Sequence, residues 1–88
     1  MTPEAPRVTL RSNLFNLKLD LERKTRKEWT VTDIATEAGL GWLTVNKLYT
    51  DDAARYDRAT LERLIAFFRA QDMDVTLSDL ITEEPITI

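Results

Sequence analysis

The chain of 88 residues contains no cysteine and no histidine, and only 2 glycines and 3 prolines. Without cysteine there is neither a disulfide framework nor a thiolate metal site. Without histidine as well, the commonest general base, the usual nucleophile–base pairs and nearly all transition-metal sites are gone. Carboxylates remain, as in any protein, but no cluster of ionisable residues has a spacing that suggests a reaction. Enzyme chemistry, cofactors and metals are therefore not expected. No apolar run approaches the roughly 18–20 residues that span a bilayer. The opening "MTPEAPRVTL" also lacks the basic start and apolar centre of a secretory signal. A cytoplasmic location away from membranes is the expectation.

What is present is the make-up of one ordinary globular domain: hydrophobic residues are 43% and charged residues 31%, which sets the chain apart from disordered ones. The net charge of −3 runs against a nucleic-acid partner when taken as a single figure. Its distribution says more. Residues 70–88 carry Asp72, Asp74, Asp79, Glu83 and Glu84 with no Lys or Arg. Residues 7–27 carry Arg7, Arg11, Lys18, Arg23, Lys24, Arg26 and Lys27 against Asp20 and Glu22. The chain is polarised, basic near its start and acidic near its end.

Residues 1–6 have two prolines and no periodicity and read as a flexible tail. "RVTLR" alternates Val8 and Leu10 with polar residues, as a short strand or extended lead-in would. Ser12 or Asn13 then offers a helix N-cap. Leu14, Leu17 and Leu21 share one face, which predicts a first helix over about 13–26. Lys24, Arg26 and Lys27 near its end suit the helix dipole. Phe15 and Leu19 lie on a neighbouring face and, like Phe67 further on, either widen the core or mark a self-association surface.

"TVTDIATEAGLGWLTVNKLYT" is the informative stretch. Thr30 can cap a short helix with Asp33 as the reciprocal acceptor. That helix turns Ile34, Ala35 and Ala38 inward and stops at Gly39, the residue best able to take a left-handed C-cap. Gly41 opens the next helix, whose inner face is Val45, Leu48 and Tyr49. Its outward face carries Leu43, Asn46, Lys47 and Thr50, with Trp42 at the border. Two short helices joined by a glycine turn form a helix-turn-helix unit. Asp57 then caps a fourth helix with Leu61, Leu64, Ile65 and Phe68 on one face, and Thr76 with Asp79 opens a short fifth. The core is expected from Leu14, Leu17, Leu21, Ile34, Val45, Leu48, Leu61, Leu64, Ile65 and Phe68. Ile86 and Ile88 alternate as in a strand that could pair with "RVTLR".

These residues together resemble the Cro/CI-type (XRE-like) helix-turn-helix regulators over about residues 10–81. "TDIATEAGLGWLTVNKLY" resembles that family's second helix, glycine turn and recognition helix, with Ile34, Ala35, Gly39, Leu40 and Val45 at its signature positions. "YDRATLERLIAFF" and "VTLSDLI" resemble the two helices that follow. The resemblance implies an all-α, five-helix, lambda-repressor-like fold, with short extended N- and C-terminal segments as an optional addition. It implies domain bounds of 7–82, followed by an acidic, extended tail over 83–88. It also implies a DNA-binding transcriptional regulator, a repressor, that reads operator DNA as a homodimer with a recognition helix at about 41–50 in the major groove.

Gly41, Trp42, Leu43, Thr44, Asn46 and Lys47 would then face the duplex. Lys47 could donate to guanine and Asn46 to adenine, while Trp42 and Leu43 could meet thymine methyls. Thr44, Arg55 and Arg58 would contact phosphate, and Arg7 and Arg11 would form an arm along the backbone or minor groove. The chain departs from the family pattern at Val31, Gly41, Trp42, Leu43, Asp51 and Asp52. Each departure removes a hydrogen-bond donor or adds negative charge where phosphate would lie. The alternative is a protein-interaction module of the same fold that meets another regulator or enzyme through Trp42 and Leu43.

Overall fold

A computed structural model of the chain describes residues 8–53 and 55–85. In order these form β1 (Val8–Ser12), α1 (Leu14–Thr25), α2 (Val31–Ala38), α3 (Trp42–Tyr49), α4 (Arg58–Ala70), α5 (Leu77–Leu80) and β2 (Ile81–Pro85). The 1–6 tail, Arg7, Ile86 and Ile88 lie outside the described residues. No helix among the described residues is long and apolar enough to cross a membrane.

Local chemistry sets most of the helix ends. Before α1, Ser12 Oγ accepts from Leu14 N at 3.3 Å, whereas Asn13 supplies no side-chain cap. At α2 the Thr30 hydroxyl accepts from Asp33 N at 3.1 Å and the Asp33 carboxylate accepts from Thr30 N at 3.0 Å, a reciprocal capping box. Asp57 caps α4 by accepting from Thr60 N at 3.1 Å, and Asp79 accepts from Thr76 N at 2.8 Å ahead of α5.

Three helices end alike. Gly39, Asp51 and Asp72 all take left-handed backbones, with φ of 70°, 58° and 60°. At each, the amides of that residue and the next turn back to carbonyls near the helix end: Gly39 and Leu40 to Thr36 and Ala35, Asp51 and Asp52 to Leu48 and Lys47, Asp72 and Met73 to Arg69 and Phe68. This is the Schellman arrangement, which satisfies carbonyls the helix would otherwise leave unpaired.

The chain is mostly helical but not all-α, because β1 and β2 form a two-stranded antiparallel sheet with Val8 opposite Pro85 and Ser12 opposite Ile81. Val8–Ser12 therefore pairs with Ile81–Pro85, a segment not singled out in the sequence as a strand, while the alternation of Ile86 and Ile88 lies outside the described residues. The reason is that α5 lasts only four residues: Ile81 is already extended, with φ −120° and ψ 119°. Asn13 N donates to Leu80 O at 2.8 Å and continues the ladder into the helical body. In that alternation the backbone groups of Leu10 and Ser12 face away from β2. Asp51 Oδ1 takes the Ser12 N–H at 2.8 Å, and the Tyr56 hydroxyl donates to Leu10 O at 3.3 Å. The loop after α3 thus occupies the strand's outer edge.

The core joins Leu14, Leu17 and Leu21 of α1, Ile34 and Ala35 of α2, Val45 and Leu48 of α3, and Leu64, Phe67 and Phe68 of α4, with Val75 and Leu80 closing one end. Phe67 is thereby a core residue, while Phe15 stays half-exposed against the Tyr49 ring at 5.5 Å and Leu19 is half-buried. Leu61 and Ile65, expected in the core, are only half-buried. Both still pack against the core. The core also gains Trp29, which is buried edge-on to Phe67 with centroids 5.5 Å apart. Its indole N–H donates to Thr25 Oγ1 at 3.0 Å and its amide to Glu22 Oε2 at 2.9 Å, so burial leaves neither donor unmet.

The cations around the end of α1 do more than face a dipole. Lys24 Nζ donates to Asp72 O at 2.6 Å, and Lys27 Nζ lies 4.2 Å from the Trp29 ring centroid. Arg26 has the left-handed φ of 55° that ends the helix.

Trp29→Ala should therefore cost about 3–5 kcal/mol, as large aromatic truncations in a core do. Thr30→Ala should cost about 1 kcal/mol through loss of the cap. Urea midpoints at constant slope measure both. A cost for Trp29→Ala well under that of Thr30→Ala would contradict the burial described.

Candidate nucleic-acid interface

The α2–turn–α3 unit is built around Gly39–Gly41. Gly39 suits its place for two reasons: its φ of 70° is left-handed, which glycine takes at no steric cost, and a Cβ there would crowd Arg63 Nη1 at 3.3 Å. Arg63, on α4, donates from that nitrogen to Gly39 O at 2.7 Å and holds the turn against the helix behind it. Sequence reading missed Arg63, since only the pairing of positions 24 apart reveals it. Gly41 is different. Its backbone is ordinary (φ −72°, ψ 146°), and a Cβ would meet nothing closer than Thr44 Oγ1 at 4.0 Å. With no side chain, it leaves the first turn of α3 without a cap.

Val45 and Leu48 anchor α3 in the core, which fixes the face it turns outward. Trp42 and Leu43 are 50% and 58% exposed, and Thr44 and Lys47 are exposed beside them. Asn46, expected outward, is half-buried. Thr44 and Lys47 share an open groove of about 340 Å³ with Arg55, Tyr56 and Asp57, where α3 faces the start of α4. The Asp57 oxygen is engaged by the amide and hydroxyl of Thr60, so the groove combines two cations with a carboxylate already committed to capping.

Two other predicted cations do not join this groove. Arg58 Nε pairs with Glu62 at 2.7 Å one turn along α4, and lines a separate depression with Leu61, Ile65 and Leu77. Arg11 Nε pairs with Asp51 Oδ2 at 3.0 Å. That bond also changes the meaning of Asp51. Rather than meeting the exterior as a bare negative charge, its carboxylate accepts from Ser12 N and from Arg11. Those two bonds, the backbone one first, hold its pKa below the ordinary value. Asp52 is exposed.

Among the described residues no group of three or more acidic side chains is placed to hold a metal ion. Comparison with protein-family models, with curated proteins and with solved structures finds no significant match to this chain.

Because the folded pKa of Asp51 is lowered, its contribution to stability is fully present above the unfolded value of about 3.9. That contribution is lost as pH falls through the lower folded value. Asp51→Asn keeps a residue that tolerates the left-handed backbone and removes only the charge. The melting temperature of wild type should exceed that of Asp51→Asn at pH 7, and the gap should shrink as the pH is taken below the unfolded value. A gap that is constant with pH would show that the Asp51 bonds do not depend on its charge.

Proposed function

We propose that the chain is a sequence-specific DNA-binding transcriptional regulator, a repressor of lambda-repressor-like helix-turn-helix architecture, with α3 as its recognition helix. The observation that carries this reading is the division of α3. One side is buried by Val45 and Leu48, and the other presents Trp42, Leu43, Thr44 and Lys47 to the exterior. A helix of this kind fits the major groove of B-DNA, about 12 Å wide, where each base pair offers its own donor and acceptor pattern.

In this reading Lys47 donates to guanine O6 or N7, and Leu43 with Trp42 packs on thymine methyls. Thr44 and Arg55 lie across one groove and take backbone phosphate. The amides at the start of α3, which no side chain caps, are further donors for phosphate in this reading. The pairing of Asp51 with Arg11 and Ser12 withdraws one of the negative charges that would otherwise oppose a phosphate.

A second reading, a protein-interaction module, is favoured by one observation: Trp42 is half-exposed beside an exposed Leu43, and an exposed Trp is a typical interface anchor. The two readings part on separate substitutions. DNA binding requires that Lys47→Ala lower affinity for a selected duplex and flatten the plot of log K against log salt by about one unit. If no duplex from a random pool is retained at low salt, or if Lys47→Ala changes nothing while Trp42→Ala abolishes a protein complex, the DNA reading fails.

A further inference from the structure

A second surface is untouched by this function. Along α4, Glu62, Ile65, Ala66 and Arg69 recur at steps of three and four and so share one face. With Leu77 of α5 they line a shallow groove of about 580 Å³. Leu77 is 53% exposed at its side, and the apolar lining continues through Leu61 and Tyr56 towards Leu10.

We propose that this face binds a second copy of the chain, α4 against α4, antiparallel about a two-fold axis passing between Ile65 and Ala66. The sequence of the stripe is self-complementary under that operation. Position 62 falls opposite position 69, so Glu62 of each copy meets Arg69 of the partner subunit, one pair on either side of the axis. Ile65 packs on the small Ala66 between them, with Leu77 covered at the flank. Other alignments are worse. A parallel pair sets Glu62 against Glu62 and Arg69 against Arg69, and a shift of one turn brings Arg58 against Arg69. Both place like charges together.

The two charged groups are also prepared for the contact. Arg69 Nε donates to Val75 O at 3.0 Å, which orients the guanidinium and leaves its terminal nitrogens for a carboxylate. Glu62 uses Oε1 for Arg58 at 2.7 Å and keeps Oε2.

Sedimentation equilibrium of the full chain, without DNA, tests this independently of any nucleic-acid binding. The mass should rise with concentration from 10.2 kDa to about twice that value. Glu62→Arg and Arg69→Glu should each weaken the dimer about tenfold or more, because either reversal turns two attractive pairs into two repulsive ones. The double variant Glu62→Arg/Arg69→Glu should regain wild-type affinity to within about threefold. Leu77→Asp should also weaken the dimer. Circular dichroism confirms folding. Should Arg69→Glu unfold the chain by losing its bond to Val75, Glu62→Arg and Leu77→Asp decide, and weakening by both supports the interface. A mass of 10.2 kDa at every concentration overturns the proposal. So does a dimer indifferent to these variants, or a folded double variant that stays as weak as the single ones.

Discussion

Helices of eight residues do not hold together in water by themselves, since nucleation is costly and isolated helices below roughly 12–15 residues are marginal. Both α2 and α3 are of that length, so their existence depends on being pressed into one core. Ile34, Ala35, Val45 and Leu48 supply the buried side of the unit, and Leu64, Phe67 and Phe68 of α4 supply the floor. Arg63 adds a polar tie between that floor and the turn. The outward face of α3 is thus a by-product of burial: once Val45 and Leu48 are inside, Leu43 and Lys47 have nowhere to go but out.

The acidic character of the chain takes on a different meaning in the fold. Glu22, Asp33, Asp51, Asp57 and Asp79 each accept a backbone N–H, from Trp29, Thr30, Ser12, Thr60 and Thr76 in turn. Three of them sit at helix starts, where the partial positive charge of the dipole favours a carboxylate. For Glu22, Asp33 and Asp51 the backbone bond is the main reason the pKa is lowered. Net charge therefore describes this surface poorly, because a good share of its negative charge is turned onto the protein's own amides.

Local signals were legible and non-local ones were not. The capping pair Thr30 and Asp33, the stop at Gly39 and the cap at Asp57 each lie within four residues of what they control, and all were readable from the sequence. So was the outward placement of Leu43 and Lys47, which follows from helical period alone, whereas Asn46 is half-buried. Trp29 was missed because it lies in the link between α1 and α2, where there is no period to read, and its burial depends on Phe67. Ile81–Pro85 was not read as a strand for a similar reason. "ITEEP" has two acidic residues and suggests solvation, and only the pairing with Val8–Ser12 makes it a strand. Asp51 looked like a charge in the wrong place until its two partners, 39 and 40 positions away, came into view. Of the cations expected at one surface, the fold gathers Lys47 and Arg55 and sends Arg11 and Arg58 elsewhere. Rotation along the chain alone could not decide this.

The ladder between β1 and β2 has a mechanical consequence. Val8 and Pro85 are partners, so a tug on the chain before one strand and after the other opens the ladder bond by bond, like a zip, rather than shearing all of it together. Two short strands resist such peeling weakly, and the first firm obstacle is the point where Asp51 and Tyr56 grip β1. Beyond it lies the helical core. A pull on both ends would meet little resistance until it reached the loop behind α3, and freeing that loop would release the support of the helix in front of it.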